Sequence, residues 1–379
     1  MITLRRLGAA VAGLALAACT AQPPQPVRSP ASSATEVPVS LHPWAKAGFP
    51  KVEARGEVSA MSVTGPREAW AGGYQDAADD QPGDALLMRW DGRAWTKIAV
   101  PRDDFISVDA LDGDGDGGVW IANGGTLARW NAGEWHTYEP FGVARGHYIS
   151  GLAAGDGRVV MVGKAPQGRL ILEWDGTKFT LDQGTSGVLN AVSLERGQIW
   201  AVGAEPYGSE KCGNVTPLIM GQSPQDRRDG QGVRALRIPR VPGGALHDVW
   251  QAAPDDVWAV GEVSGGEECD TTPAPASRPA EPLVMHYDGA AWKRVELPGW
   301  DLRLFSVTVT ADGHVWAGGG QVTLAHYDGR RWARERPLSG GREDVVRVRA
   351  MSGGPGLWAF GALEAPTLRG SPFLLRREE

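Results

Sequence analysis

An all-β chain of seven repeated four-stranded units is what the sequence predicts, and three observations predict it. Of 379 residues, 52 are glycine and 27 proline, a glycine share about twice the usual 7%. These two are the poorest helix formers, which excludes a coiled coil or a helical bundle. The lack of a strict Gly-X-Y period excludes collagen. The 16 tryptophans outnumber the 7 phenylalanines and 6 tyrosines together. Most of them belong to one recurring phrase: a hydrophobic strand, a turn, a second strand with Trp then Gly, a third strand, Asp-Gly, and a fourth strand opened by Trp.

The chain opens on an address rather than on a fold element. Arg5 and Arg6 precede the uncharged apolar run Leu7 to Ala18, which is too short to span a bilayer as a helix. Residues 1–18 end on Leu16-Ala17-Ala18-Cys19, which resembles the bacterial lipoprotein signal and its lipobox. That resemblance implies cleavage before Cys19 and acylation of Cys19, with palmitate among the chains, and so a lipid-anchored protein of the cell envelope. Thr20 follows in place of Asp, which implies the outer membrane if the host has one. Residues 19–41 carry this cysteine and a Pro/Ser-rich stretch that cannot bury apolar surface, and they read as a tether. Loss of residues 1–18 removes Arg5 and Arg6 and no acid, taking the formal charge from -7 to -9. That sign argues against nucleic acid as a partner.

Residues 42–379 hold the repeats. The second strands begin Trp70-Ala71-Gly72-Gly73, Trp120-Ile121-Ala122, Val160-Met161-Val162-Gly163, Trp200-Ala201-Val202-Gly203, Trp258-Ala259-Val260-Gly261, Trp316-Ala317-Gly318-Gly319 and Trp358-Ala359-Phe360-Gly361. The hairpins joining third to fourth strands read Trp90-Asp91-Gly92…Trp95, Trp130-Asn131-Ala132-Gly133…Trp135, Trp174-Asp175-Gly176…Phe179, Tyr287-Asp288-Gly289…Trp292 and Tyr327-Asp328-Gly329…Trp332. Asp-Gly between aromatic strands is a hairpin signal, so these acids form turns before they do chemistry. The fourth unit lacks the motif, and its fourth strand is expected over Val233 to Ile238.

Seven such units resemble a seven-bladed β-propeller, a ring that leaves only short sheet edges. The last unit, Pro372 to Glu379, supplies a third strand and stops. Trp44 to Pro50 matches Trp95 to Pro101 and Trp292 to Pro298, so the N-terminal strand is expected to complete the last blade and latch the ring. With Cys19 acylated, Cys212 and Cys269 remain, in second-to-third-strand loops of adjacent units, and are expected to pair. The chain-entropy argument gives such a bridge roughly 4 kcal/mol.

Function is expected where the repeats differ. Long loops between second and third strands (Tyr74 to Ala85, Ala204 to Pro217, Glu262 to Pro282) decorate one face. Glu57, Asp104, His147, Asp248, Arg303 and Asp344, polar residues entering the innermost strands, form the candidate binding rim there. Asp112, Asp114 and Asp116 match the start of a calcium loop. The ninth position is however Trp120 and the twelfth Asn123, so calcium stands as an alternative to a plain turn. His286 and His326 occupy matching third-strand positions. Arg89, Arg129 and Glu173 fill that place elsewhere, so half-exposed strand residues are expected rather than metal ligands. A sialidase-type Asp box spaces its Asp and Gly, whereas Asp91-Gly92 are contiguous. The tether and ring resemble the layout of the propeller subunit of outer-membrane barrel assembly, in plan and not in motifs. The resulting expectation is a monomeric, lipid-anchored binding or scaffold module for a protein or glycan partner. An envelope glycan hydrolase or lyase with its site at the channel mouth is the alternative.

Overall fold

The computed structural model describes residues 44–377 apart from 54, 78–82, 103–104, 141–145, 207–214, 265–279, 298, 342–343, 352–355 and 366–367. Cys19, Asp104, Cys212 and Cys269 lie outside the described residues. Seven four-stranded antiparallel sheets follow one another. Blade 1 runs from Glu57 to Lys97, blade 2 from Ala110 to Tyr138, blade 3 from Tyr148 to Gln183, blade 4 from Val188 to Ala235, blade 5 from Gly244 to Val295 and blade 6 from Leu304 to Glu335. Blade 7 takes Val345–Ala350, Leu357–Ala365 and Leu368–Arg377, and its fourth strand is Ala45–Lys46 from the other end of the chain. Ala45 pairs with Arg376 and Lys46 with Leu375. The first strand of each blade meets those of its neighbours around the ring, blade 7 meeting blade 1. The structure is thus the expected seven-bladed β-propeller, latched by the N-terminal strand.

The tryptophans are inter-blade packing. Most second-strand Trp residues meet a third- or fourth-strand aromatic of the next blade, with ring centroids 5.2 Å apart for Trp70 and Trp130, 5.1 Å for Trp200 and Tyr287, and 5.3 Å for Trp358 and Trp95. Such tilted and edge-on pairs add to the area they bury. Blade 3 carries Val160 where the others carry Trp, and the facing position in blade 4 is Gln222 instead of an aromatic. That interface is aliphatic, built from Val160, Leu194, Ile199, Met220 and Val233. Blade 4 also lacks the Asp-Gly hairpin. A five-residue helix, Pro224–Arg228, replaces it, with Ser223 and Asp226 forming a capping box. Its fourth strand is only Arg234–Ala235, inside the expected span.

The Asp-Gly acids behave as turn formers. Asp91, Asp175, Asp288 and Asp328 each accept two backbone N–H bonds within the hairpin. Gly92, Gly176, Gly289 and Gly329 supply the positive φ that follows. Hydrogen bonds from Thr177 and the adjoining backbone hold the Asp175 carboxyl at about 2.

The third-strand histidines belong to a recurring polar pair. Each lies across from a second-strand Trp and bonds to the residue two places before that Trp. His286 Nε2 meets Asp256 at 2.9 Å and its ring stacks on Trp258 at 4.0 Å. His326 meets His314 at 3.0 Å and stacks on Trp316 at 3.8 Å. Burial and the neighbouring His314 push His326 down to about 4. Arg89 with Glu68 and Glu173 with Arg158 fill the same places in blades 1 and 3. His286 is nearly fully buried, deeper than the half-exposed position expected from its neighbours in the pattern.

Candidate functional site at the channel mouth

The axial channel widens into a cavity at each end. The upper one, about 430 Å³, lies on the face of the second-to-third-strand loops, since Tyr74 at the end of a second strand pairs with Glu57 at the start of a first. The lower one, about 380 Å³, lies at the opposite ends of the first strands. Met61, Leu111, Leu152, Val192, Asp248 and Arg349 line both and form the neck between them.

One local irregularity builds the upper cavity. In blades 1, 3, 4, 5 and 6 the register between first and second strands slips by one residue near the top. The residues left unpaired are Ser59, Ser150, Asn190, His247 and Phe305, and all five line the cavity. A β-bulge re-aims one side chain in this way. The recurrent glycine that ends Trp-x-x-Gly makes room for it. A Cβ on Gly73, Gly163, Gly203 or Gly261 would overlap the backbone of the bulged strand. Blade 2 places Asp109 at the corresponding point and blade 7, without a bulge, contributes Arg347.

These side chains divide into two groups. Ser59, Ser150 and Asn190 stitch blades together, donating to the carbonyls of Val108, Leu189 and Leu246, each just ahead of the next blade's bulge or its equivalent. On the other side a continuous line runs over blades 5, 6, 7 and 1. His247 lies 3.5 Å from Glu262 and packs against Phe305, with ring centroids 5.7 Å apart. The Arg347 guanidinium sits 5.8 Å over Phe305 and pairs with Glu57. Arg303 closes on Glu262 at 2.7 Å. Tyr148 stands at the rim 47% exposed, the most exposed aromatic of the mouth. Burial, together with the Asp109 carboxylate that it hydrogen-bonds, pushes its hydroxyl up to about 12, so it is a fixed neutral anchor and not a base.

The residues expected at the rim are distributed as follows. Glu57 and Arg303 flank the line just described. His147 lies at the top of blade 3, 2.8 Å from Gln183. Asp344 is buried and accepts from the Gly341 N–H. Asp248 sits deeper, in the neck, where it accepts from Arg349 at 2.8 Å and from the backbone N–H groups of Val249 and Val307. Arg349 also donates to the Met61 and Val307 carbonyls, so this ion pair ties blade 7 to blades 1, 5 and 6. The bulged residues themselves were not expected. Their signal is a position between apolar neighbours whose chemistry changes from blade to blade while the scaffold around it repeats.

The acidic run of blade 2 is taken up by the protein. Asp112 is half-buried and accepts from the Ser62 hydroxyl and the Ala154 N–H. Asp114 pairs with Arg129 at 2.7 Å and accepts from the Asp116 and Gly118 N–H groups. Among the described residues no group of three or more His, Cys, Asp or Glu side chains stands where it could hold a metal ion. Burial raises the Asp112 carboxyl to about 6. Its folded value lies above the unfolded one, so its favourable share of stability is complete below about pH 4 and is lost as pH rises to about 6. We expect Asp112→Asn to gain thermal midpoint relative to wild type between pH 4 and 7. A difference that stays constant over that range would show that Asp112 does not titrate there.

Fold and mouth together define the class, a seven-bladed β-propeller with a ligand-sized funnel on its loop-bearing face. The sequence matches no protein-family model and no curated protein. The structure is similar to YCF48 bound to a D1 peptide, at 16% identity and TM-score 0.54 over 91% of this chain and 99% of that one. It is similar also to YCF48 from Cyanidioschyzon merolae, at 15% identity and TM-score 0.55 over 89% and 99%. The WD40 repeats of RRP9 share 13% identity and TM-score 0.56 over 88% and 98%. Identities of this size carry the fold.

Proposed function

We propose that the mature chain is a lipid-anchored binding module of the cell envelope, acylated on Cys19 and stapled by a Cys212–Cys269 disulfide, that receives a segment of a partner protein in its upper mouth. The observation that carries this reading is the set of bulges, which send chemically different side chains from successive blades into one funnel. Variable residues on a rigid, repeated scaffold are how loops and rims acquire specificity. The lipobox-like Leu16-Ala17-Ala18-Cys19 supports the anchor, and a peptide-bound similar structure supports a protein ligand. Glu57 and Glu262 are each engaged by an arginine. That arrangement suits recognition by shape and charge better than general acid catalysis on a glycan.

The test is in-cell cross-linking with a photoreactive phenylalanine analogue at Tyr148. A discrete protein adduct is expected, absent when the analogue replaces Leu181, which is exposed on the outer strand of blade 3. Cys19→Ser should lose the adduct together with membrane fractionation. Equal adducts at both positions would refute the mouth as the site. Loss of envelope-glycan turnover on substitution of His147 and Arg303, with no adduct at Tyr148, would establish the hydrolase instead.

A further inference from the structure

Blade 4 departs from the other blades at its outer edge as well as in its core. Between residues 227 and 240 it carries five arginines and no lysine: Arg227, Arg228, Arg234, Arg237 and Arg240, all exposed. Two acids accompany them. Asp226 pairs with Arg234 at 3.0 Å, and Asp229 accepts from Gln225. The strip therefore keeps a net positive charge on a chain whose overall formal charge is -7. It follows the outermost strand, Arg234–Ala235, and the segment climbing from it toward blade 5. Leu236 and Ile238 turn inward against the core of blades 4 and 5, and Val241 is buried in it, which leaves Arg234, Arg237 and Arg240 on the outside.

We propose that this arginine strip docks the propeller against an anionic lipid surface, orienting a molecule that its N-terminal lipid merely tethers. The inference rests on the anchored reading of Cys19 for its setting, but not for its test. Two features favour a lipid surface over a protein partner. Pro239 lies within the strip and has no N–H to offer, which blunts the edge against addition of a partner strand. The exposed side chains of the strip are charged, polar or small, with no aromatic or large aliphatic anchor of the kind that gives protein interfaces their affinity. Charge without an apolar anchor suffices at a bilayer, where each basic side chain near anionic headgroups adds independently. Arginine's planar fork also suits phosphate. The rest of the chain carries a net charge of the opposite sign, so the strip gives this edge a favourable approach to such a surface.

The test uses the chain from Thr20 onward, which has no acyl chain and retains every strand of the closed ring. At low salt it is expected to sediment with vesicles of 30% phosphatidylglycerol in phosphatidylcholine. It should not sediment with phosphatidylcholine alone, and binding should fade as salt is raised. Arg237→Gln with Arg240→Gln should lower the partition coefficient about 30-fold with an unchanged thermal midpoint. Arg330→Gln with Arg331→Gln, at an exposed hairpin of blade 6, should leave it unaltered. Equal partition of wild type and the strip variant, or no partition at all, would overturn the proposal. So would binding of a soluble polyglutamate peptide as tight as that of the vesicles, which would make the partner an acidic protein. Loss of membrane fractionation by Cys19→Ser bears on the anchor alone.

Discussion

Replacing Glu335 with alanine is expected to lower the thermal midpoint by roughly 6 °C. Glu335, on the fourth strand of blade 6, is 4% exposed, and Arg377 on the third strand of blade 7 is 5% exposed. Their ion pair is 2.9 Å, and the Trp44 indole N–H donates to the same carboxylate at 2.6 Å. Arg377 takes the place that an aromatic holds in most other blades, its guanidinium 4.9 Å over Trp316. One carboxylate thus joins blade 6, blade 7 and the incoming N-terminal strand at the point where the ring closes. Removing it strands a buried guanidinium, which costs about 3–5 kcal/mol, or roughly 6 °C for a chain of this size. Glu335→Leu combined with Arg377→Met should recover most of that loss, because no unpaired charge remains. Calorimetry of the three proteins decides the matter. A single variant within 2 °C of wild type would mean that the pair is not needed for closure.

Gly261→Ala is expected to cost about 3 kcal/mol or more, the upper range for overpacking a core. A Cβ at this position would stand 2.8 Å from the Ala245 carbonyl carbon and from Leu246 Cα, and closer still to the Ala245 oxygen. These are backbone atoms of the bulged strand, so no side chain can swing aside. The substitution should also displace His247 from the mouth, coupling lower stability to weaker partner capture. Gly48→Ala, at a position with no atom within 4 Å of the added methyl, is the matched control. Equal urea midpoints for the two variants would contradict the role given to the Trp-x-x-Gly glycine.

The architecture was readable because it repeats. Trp70, Trp200, Trp258, Trp316 and Trp358 announce second strands, and Asp91-Gly92 and its copies announce hairpins through local turn chemistry. The closing strand was readable from the match of Trp44 to Pro50 with the fourth strands of other units, where the last unit lacks one. The site was harder. Glu57 and Arg303 were reached from their place at the entry of a first strand, but Asp248 follows the same rule and lies in the neck beneath them. Glu57 and Arg303 stand two residues before the bulge of their strands and Asp248 one residue after it, beyond the slip in register that moves a side chain from one face to the other. Ser59, Asn190, His247 and Phe305 are hard to read from sequence because a bulge changes pairing without a residue type of its own. Asp112 and Asp114 resemble the start of a calcium loop in sequence, and only the fold brings Ser62 and Arg129 to their carboxylates.

The sequence by itself therefore determined the number of blades, the order of strands, the latch and the turn-forming role of the Asp-Gly acids, since each depends on residues close together in the chain or on a repeat that states itself seven times. Only the tertiary structure decided which polar side chains face the mouth, which are consumed in holding blades together, and that Glu335, Arg377 and Trp44 meet at the seam. Those outcomes depend on register and on contacts between blades. Neither is written in any local stretch of sequence, because a side chain's partner across an interface is chosen by the packing of the whole ring.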